Sequence, residues 1–356
     1  MSRRLLVVTT VHPPDDPRIR EKLIRTLRDW EISYAAREPG PSDDTDLTFK
    51  PLKGGRVSRW FSALREMHDD DIDVVVVHDP ELIPAGLVVW FLQRKPVVLD
   101  LHEDLPAQIL TKAQVPAPMR RPLSAFSRWW LSQAERHLHV TLAEHGYQHL
   151  FMREHRVFPN YPDASLLPVA DTDPDGPVVY VGDVTEGRGA TDLVEAAGEA
   201  EIARVVFVGR CALELSERLR SVGRAKGVLV DVVGWRSYRE AMETAAAASV
   251  GVAPLRDQPN YRNSLPTKTL EYLAMGVPVI ASDLPGTREV IGELPGVVLV
   301  PPGNPKALAA ALTEVDDDLR AAAAQGVGDV QRRFRWPTDE VRDYYDSLLP
   351  EASTSG

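Results

Sequence analysis

The stretch NSLPTKTLEYLAMGVPVIASD, residues 263–283, decides the fold. Asn263, Ser264, Leu265 and Pro266 make a polar loop, Thr267 to Met275 a short helix ended by Gly276, and Pro278 opens an apolar strand. The same alternation of helix and strand runs outward in both directions. In the first half, the strand candidates are 5–11, 32–36, 73–78, 96–102, 140–143 and 156–160, the fifth preceded by a long helical stretch. In the second half they are 178–183, 204–209, 228–234, 248–254, 278–283 and 297–300. Short Val- and Ile-rich runs separated by helices predict parallel sheets covered on both faces. The chain therefore reads as an α/β protein of two doubly wound, Rossmann-like domains.

Between the halves, YPDASLLPVADTDPDGP (161–177) is rich in Pro and Asp and lacks periodicity, as a connection does. The expected division is 1–165 for the first domain, 166–177 for a linker and 178–336 for the second domain. A helix at 337–350 is expected to pack across the boundary, and 351–356 to form a disordered tail. A length of 356 residues exceeds what one core usually supports, and an apolar content of 44% can fill two. The net charge of −11 argues against a nucleic-acid partner held by a large basic surface. The single Cys211 excludes an intrachain disulfide, suits a reducing cytosol and reads as a core residue. The apolar run at the N-terminus is short and is cut off by His12, Pro13 and Pro14, so it reads as a strand rather than a signal peptide. With no apolar stretch long enough to span a membrane, a cytoplasmic location is expected.

Ligands of open parallel sheets sit beyond the carboxyl ends of the strands, and two such domains facing each other would enclose a cleft there. The acidic run HDDDID (68–73) precedes a strand, so it reads as a solvated strand entrance rather than a metal site. In VVYVGDVTEGRGATDLVEAA a strand ends at Gly182, Arg188 stands between Gly187 and Gly189, and a helix follows. Glycines let backbone amides approach a ligand, a helix start favours an anion, and arginine adds a fixed charge, so this loop suits a phosphate. Its spacing is not GxGxxG, which argues against a nicotinamide dehydrogenase. Lys268 stands in the first turn of the helix in the opening stretch, where it opposes the helix dipole unless an anion lies between. Glu271, one turn on, can present a carboxylate to the vicinal hydroxyls of a ribose.

The segments HPPDDPRIREK, HDPELIPAG, DLHEDLPAQIL, YVGDVTEGRG and SLPTKTLEYLAMGVPVIASDLPGTREVI resemble those of the retaining nucleotide-sugar glycosyltransferases of family 4, over nearly the whole chain. The resemblance implies the GT-B fold and transfer of a sugar from a nucleoside-diphosphate donor, bound mainly by the second domain, to an acceptor held mainly by the first. It implies retention of anomeric configuration, with the departing phosphate taking the acceptor proton. It places the donor against Gly182, Asp183, Arg188, Gly209, Asn263, Ser264, Leu265, Pro266, Thr267, Lys268 and Glu271. His102, Arg188 and Lys268 are the expected catalytic residues. Asp16, Arg18, His78, Asp79, Glu81, Glu103 and Asp104 are the acceptor-side candidates. Two positions depart from the pattern. Asn263 stands where the family has the first of two glutamates, and Asp183 replaces the Arg of a Gly-Arg pair. Asparagine still hydrogen-bonds hydroxyls but supplies no charge, so the diphosphate relies on Arg188 and Lys268.

Fixed cations aimed at the departing diphosphate stabilise the transition state more than the ground state. No metal or other cofactor is expected, the nucleotide sugar being a substrate. Uridine is the default base, on a hexose or N-acetylhexosamine donor, and the acceptor is a glycan, a lipid-linked molecule or a small molecule of polysaccharide, glycolipid or secondary-metabolite assembly. In residues 118–140, Arg120, Arg121 and Arg128 lie near Phe126, Trp129 and Trp130, a mixture suited to docking on anionic lipid. A sugar-nucleotide epimerase, a phosphorylase and a non-catalytic nucleotide-sugar binder share the fold and remain alternatives.

Overall fold

The structure, a computed structural model, describes residues 3–40, 47–111, 115–170 and 173–349. The expected tail at 351–356 lies outside them. The chain forms two compact units, one of Met1–Asn160 with Trp336–Gly356 and one of Tyr161–Arg335.

The first unit is built on a parallel sheet of β1 (Arg4–Val8), β2 (Glu31–Arg37), β3 (Thr48–Leu52), β4 (Val74–Val77), β5 (Val97–Leu101), β6 (His139–Leu142) and β7 (Arg156–Val157), in the order β3-β2-β1-β4-β5-β6-β7. Apolar side chains on alternate positions enter two cores. Leu6, Val8, Val75 and Val77 pack on one face, and Leu5, Val7, Val74 and Val76 on the other. Both faces being covered explains why these strands read as unbroken apolar runs. The edge strand β3 is the one strand of the described residues that the sequence reading lacked. Its sequence TFKPL has no Val or Ile and carries a proline, which an edge strand tolerates.

The second unit holds β8 (Val178–Val181), β9 (Arg204–Val208), β10 (Leu229–Gly234), β11 (Val250–Ala253), β12 (Val279–Ser282) and β13 (Val297–Val300), all parallel, in the order β10-β9-β8-β11-β12-β13. In each sheet the order reverses beside the first strand, at β1 and at β8, which is where such sheets open a crevice. Cys211, expected in the core, is half-buried at the rim of the second unit's core.

The region expected as a linker packs on the second unit. Leu167 and Ala170 lie against its core, and the Ala170 amide donates to the Met275 carbonyl. The last helix, Thr338–Asp346, belongs to the first unit. Val341 and Tyr345 are in its core, and the Trp336 indole donates to Thr26 at 2.8 Å. The acidic run before β4 holds the strand entrance, with the Arg4 amide on Asp73 and the Lys50 ammonium near Asp69.

Candidate functional sites

In the second unit, the helix Thr267–Met275 is buried from Lys268 to Met275 and ends on Gly276 in the left-handed conformation. The helix packs on β11 and β12. Lys268, 8% exposed, runs back over β8, donates from Nζ to the Tyr180 hydroxyl at 3.0 Å and sits 4.1 Å from its ring centre. Arg188, from the loop after β8, converges on the same phenol and on Tyr261. Gly182 has φ +124°, a backbone conformation that favours glycine, and a Cβ there would stand a tight 3.0 Å from Lys268 Nζ and in ordinary contact, 3.5 Å, with Arg188 Nη1.

Both cations thus meet a phenol oxygen rather than a carboxylate. Burial draws the Lys268 ammonium below its ordinary pKa, and Arg188 adds to this. Burial pushes the Tyr180 phenol up, but Lys268 and Arg188 more than offset it and hold it below its usual value. Burial also works against the Arg188 charge, and the Tyr180 and Tyr261 phenols overcome it. A buried pair of cations with this little negative charge beside it is arranged for an anion.

Glu271 is 7% exposed and accepts from the Tyr238 hydroxyl at 3.0 Å, which holds its carboxylate one turn beyond Lys268. Gly209, with φ +149°, has its absent Cβ 2.0 Å from the Gly182 carbonyl, so the loops after β8 and β9 touch at two glycines. Asp183 pairs with Arg210 at 3.1 Å. Ser264, Leu265 and Pro266 are half-buried at the helix entrance, where Thr267 is its first residue, and Asn263 is exposed beside the close approach of Gly286. Tyr180, Tyr238 and Tyr261 were not singled out in the sequence. The one local sign of Tyr180 is a tyrosine inside an otherwise all-valine strand.

In the first unit, polar side chains gather at the carboxyl ends of β1, β4 and β5. The His12 and His102 Nε2 atoms are 2.8 Å apart, and His12 Nδ1 lies 3.3 Å from Asp16. Burial lowers the His12 pKa, but the Asp16 carboxylate beside it raises it to about 9. His102 Nδ1 faces Asp100 at 3.9 Å. His78, 1% exposed, has Nδ1 3.3 Å from Asp100, and burial lowers its pKa. Asp79 accepts from the Thr10 amide and from both the Thr9 and Thr10 hydroxyls. Glu81 accepts from Thr10 and Arg56.

Arg18 is not placed to meet an acceptor. It is 4% exposed, and its guanidinium forms a two-pronged pair with Asp100 at 2.8 and 2.7 Å and donates to the Phe158 carbonyl. Asp104 caps the following helix through the Ala107 amide, and Glu103 is exposed. The ligand atoms of His78, Asp100 and His102 lie within 4.8 Å of one another, spacing that a metal ion could use. Arg18 on both Asp100 oxygens already supplies the positive charge there, so the cluster reads as a proton-bearing network. Asp100 and His12 carry this network, and the sequence had not marked either as a site residue.

These strand ends open on a cavity of 390 Å³ walled on its other side by helices at 83–93, 105–111 and 117–137.

Comparison with known proteins agrees with this arrangement. Residues 176–318, inside the second unit, match the family described as Glycosyl transferases group 1. The chain is 27% identical to a phosphatidyl-myo-inositol mannosyltransferase of Mycobacterium leprae, over 92% of this chain and 86% of that protein. Among solved structures it is similar to a sucrose-phosphate synthase of Thermosynechococcus elongatus, with a TM-score of 0.75 at 18% identity over 97% of this chain and 99% of that one. It is also similar to Anabaena HepE in complex with UDP-glucose, with a TM-score of 0.72 at 15% identity over 98% of this chain and 100% of that one. The chain has the GT-B fold. The match of residues 176–318 and the likeness to the mannosyltransferase together support a glycosyltransferase.

Proposed function

We propose that the protein is a retaining glycosyltransferase of family 4 that moves a hexose or N-acetylhexosamine from a UDP-linked donor to an acceptor hydroxyl. The observation that carries this reading is the convergence of Lys268 and Arg188 on Tyr180 beside Gly182, at the start of a buried helix. A diphosphate placed there would meet two cations and a helix N-terminus, and the Glu271 carboxylate one turn away suits a ribose. The similar HepE structures contain UDP and UDP-glucose, which favours uridine.

In the step itself the bond from the anomeric carbon to the diphosphate oxygen breaks, and negative charge collects on the departing phosphate. The cations stabilise that charge as it forms. The acceptor oxygen bonds to the anomeric carbon on the face the phosphate leaves, and its proton passes to a phosphate oxygen. His102, oriented by His12 and the Asp100 side, is assigned to the donor sugar. No residue of this scheme requires a metal ion.

The test is incubation with UDP-glucose, UDP-galactose and UDP-N-acetylglucosamine and a panel of acceptors, following UDP release and the anomeric configuration of the product by NMR. Product with the donor's configuration is expected. Conversion of the donor sugar without acceptor would mean an epimerase, dependence on inorganic phosphate a phosphorylase, and tight UDP binding with no turnover a binding protein.

We also place the protein in the cytoplasm, in peripheral contact with a membrane through residues 118–140. No helix among the described residues is long and apolar enough to cross one. Phe126 and Trp129 are 52% and 51% exposed on the helix that carries Arg121 and Arg128, which supports docking on anionic lipid.

A further inference from the structure

We propose that the cavity of the first unit takes an acceptor whose reactive hydroxyl is borne on an apolar body, an alcohol or phenol rather than a free sugar. This rests on the transferase reading and names the acceptor class.

The cavity of 390 Å³ falls in the range of small-molecule sites, about 300–1,000 Å³. Its two sides differ in chemistry. The strand ends gather the polar groups, His12, His78, Asp79, His102 and Glu103, with the Arg56–Glu81 ion pair at the same end. The helical wall contributes Ile83, Leu105, Ile109, Leu123, Phe126 and Trp130. A free hexose carries a hydroxyl on nearly every carbon, and each one buried without a partner is costly. Ser127 is the one hydroxyl that this wall offers the cavity, and it already donates to the Ser124 carbonyl at 2.8 Å. A polyol filling the cavity would leave hydroxyls unpaired along the helices. An apolar body fills the same wall at a gain and leaves a single hydroxyl at the polar end, where the exposed Glu103 carboxylate can receive it. Phe126 and Trp130 have ring centres 5.8 Å apart at nearly right angles, a corner that holds a ring or a chain.

Isothermal titration of the full chain, with UDP present, tests this. The probes are 2-naphthol, 1-hexanol, glucose and mannose, with 1-hexadecanol in phosphatidylcholine vesicles to separate a bilayer-held acceptor from a soluble one. Saturable binding of an apolar alcohol from either source is expected, with no response to the hexoses at the same concentration. Ile109→Asn with Leu123→Asn should weaken that binding at least about tenfold, the equivalent of roughly 1.4 kcal/mol. Both side chains are only half-buried, and if the pair of changes impairs folding, the exposed Phe126→Ser gives the same test. Binding of hexoses alone, or alcohol binding that ignores all three substitutions, overturns the proposal. UDP binding in the same samples separates the two readings. UDP bound with no alcohol bound sinks this inference alone, and neither bound sinks the transferase reading with it.

Discussion

Replacing Lys268 by Met separates a binding lysine from a structural one, because the two roles predict opposite effects on the ligand-free protein. The ammonium is buried, in the first turn of its helix, and its hydrogen-bond partner is the Tyr180 phenol rather than a carboxylate. Taking it out of water costs free energy that Tyr180 only partly returns, and its charge opposes the helix dipole. Met keeps the length and the apolar contacts. The ligand-free K268M protein should therefore melt at the same temperature as the wild type or higher. With a diphosphate in the site the balance reverses. A unit charge about 4 Å from a phosphate oxygen contributes about 4 kcal/mol at an effective dielectric constant of about 20. Part of that offsets desolvation, which leaves roughly 3 kcal/mol, or about a 150-fold loss of UDP affinity. Melting curves and isothermal titration with UDP on both proteins measure the two effects. A lower melting temperature in K268M with unchanged UDP affinity would refute the reasoning.

Three further outcomes follow from the first unit. Asp100→Asn leaves the buried Arg18 guanidinium without its carboxylate and should cost about 3–5 kcal/mol in urea unfolding; a loss under 1 kcal/mol would mean that Arg18 finds another partner. His12 has a folded pKa of about 9 against an unfolded value of 6.5, so its pairing with Asp16 stabilises fully below about pH 6.5 and is lost as pH rises through 9. The two values correspond to roughly 3 kcal/mol, and His12→Gln should flatten that part of the stability curve measured from pH 6 to 10. Trp129→Ser with Phe126→Ser should weaken sedimentation with phosphatidylglycerol vesicles at least about tenfold, since each removes an exposed aromatic side chain from the docking face, and should leave the melting temperature unchanged; equal vesicle binding by both proteins would remove the membrane proposal.

The inner strands of both sheets are legible because they lie buried on two faces and must be apolar throughout, so runs such as VVVV at 74–77 stand out against the charged helices. Strand β3 is hidden because it lies at a sheet edge and needs neither face fully apolar. The proposed anion site is half legible. Arg188 and Lys268 are marked by a glycine loop and by a lysine on the wrong end of a helix, both local features. Tyr180, which brings them together, lies 88 residues from Lys268 in the chain, and nothing local to either residue reports the contact. Arg18 shows the opposite error. A cation on a strand-end loop looks like a ligand contact, but the fold buries it against Asp100, 82 residues away. Periodicity tells which residues are buried together as a class, and it does not tell which buried charge will meet which.

The central claim, a nucleoside-diphosphate site in the second unit, is tested most directly by thermal shift of the full chain with UDP, GDP, dTDP, CMP and NAD, since a ligand that binds only the folded state raises the melting temperature. The account predicts stabilisation by UDP, lost when Arg188 and Lys268 are both replaced. Silence toward every nucleoside diphosphate with a response to NAD would contradict it.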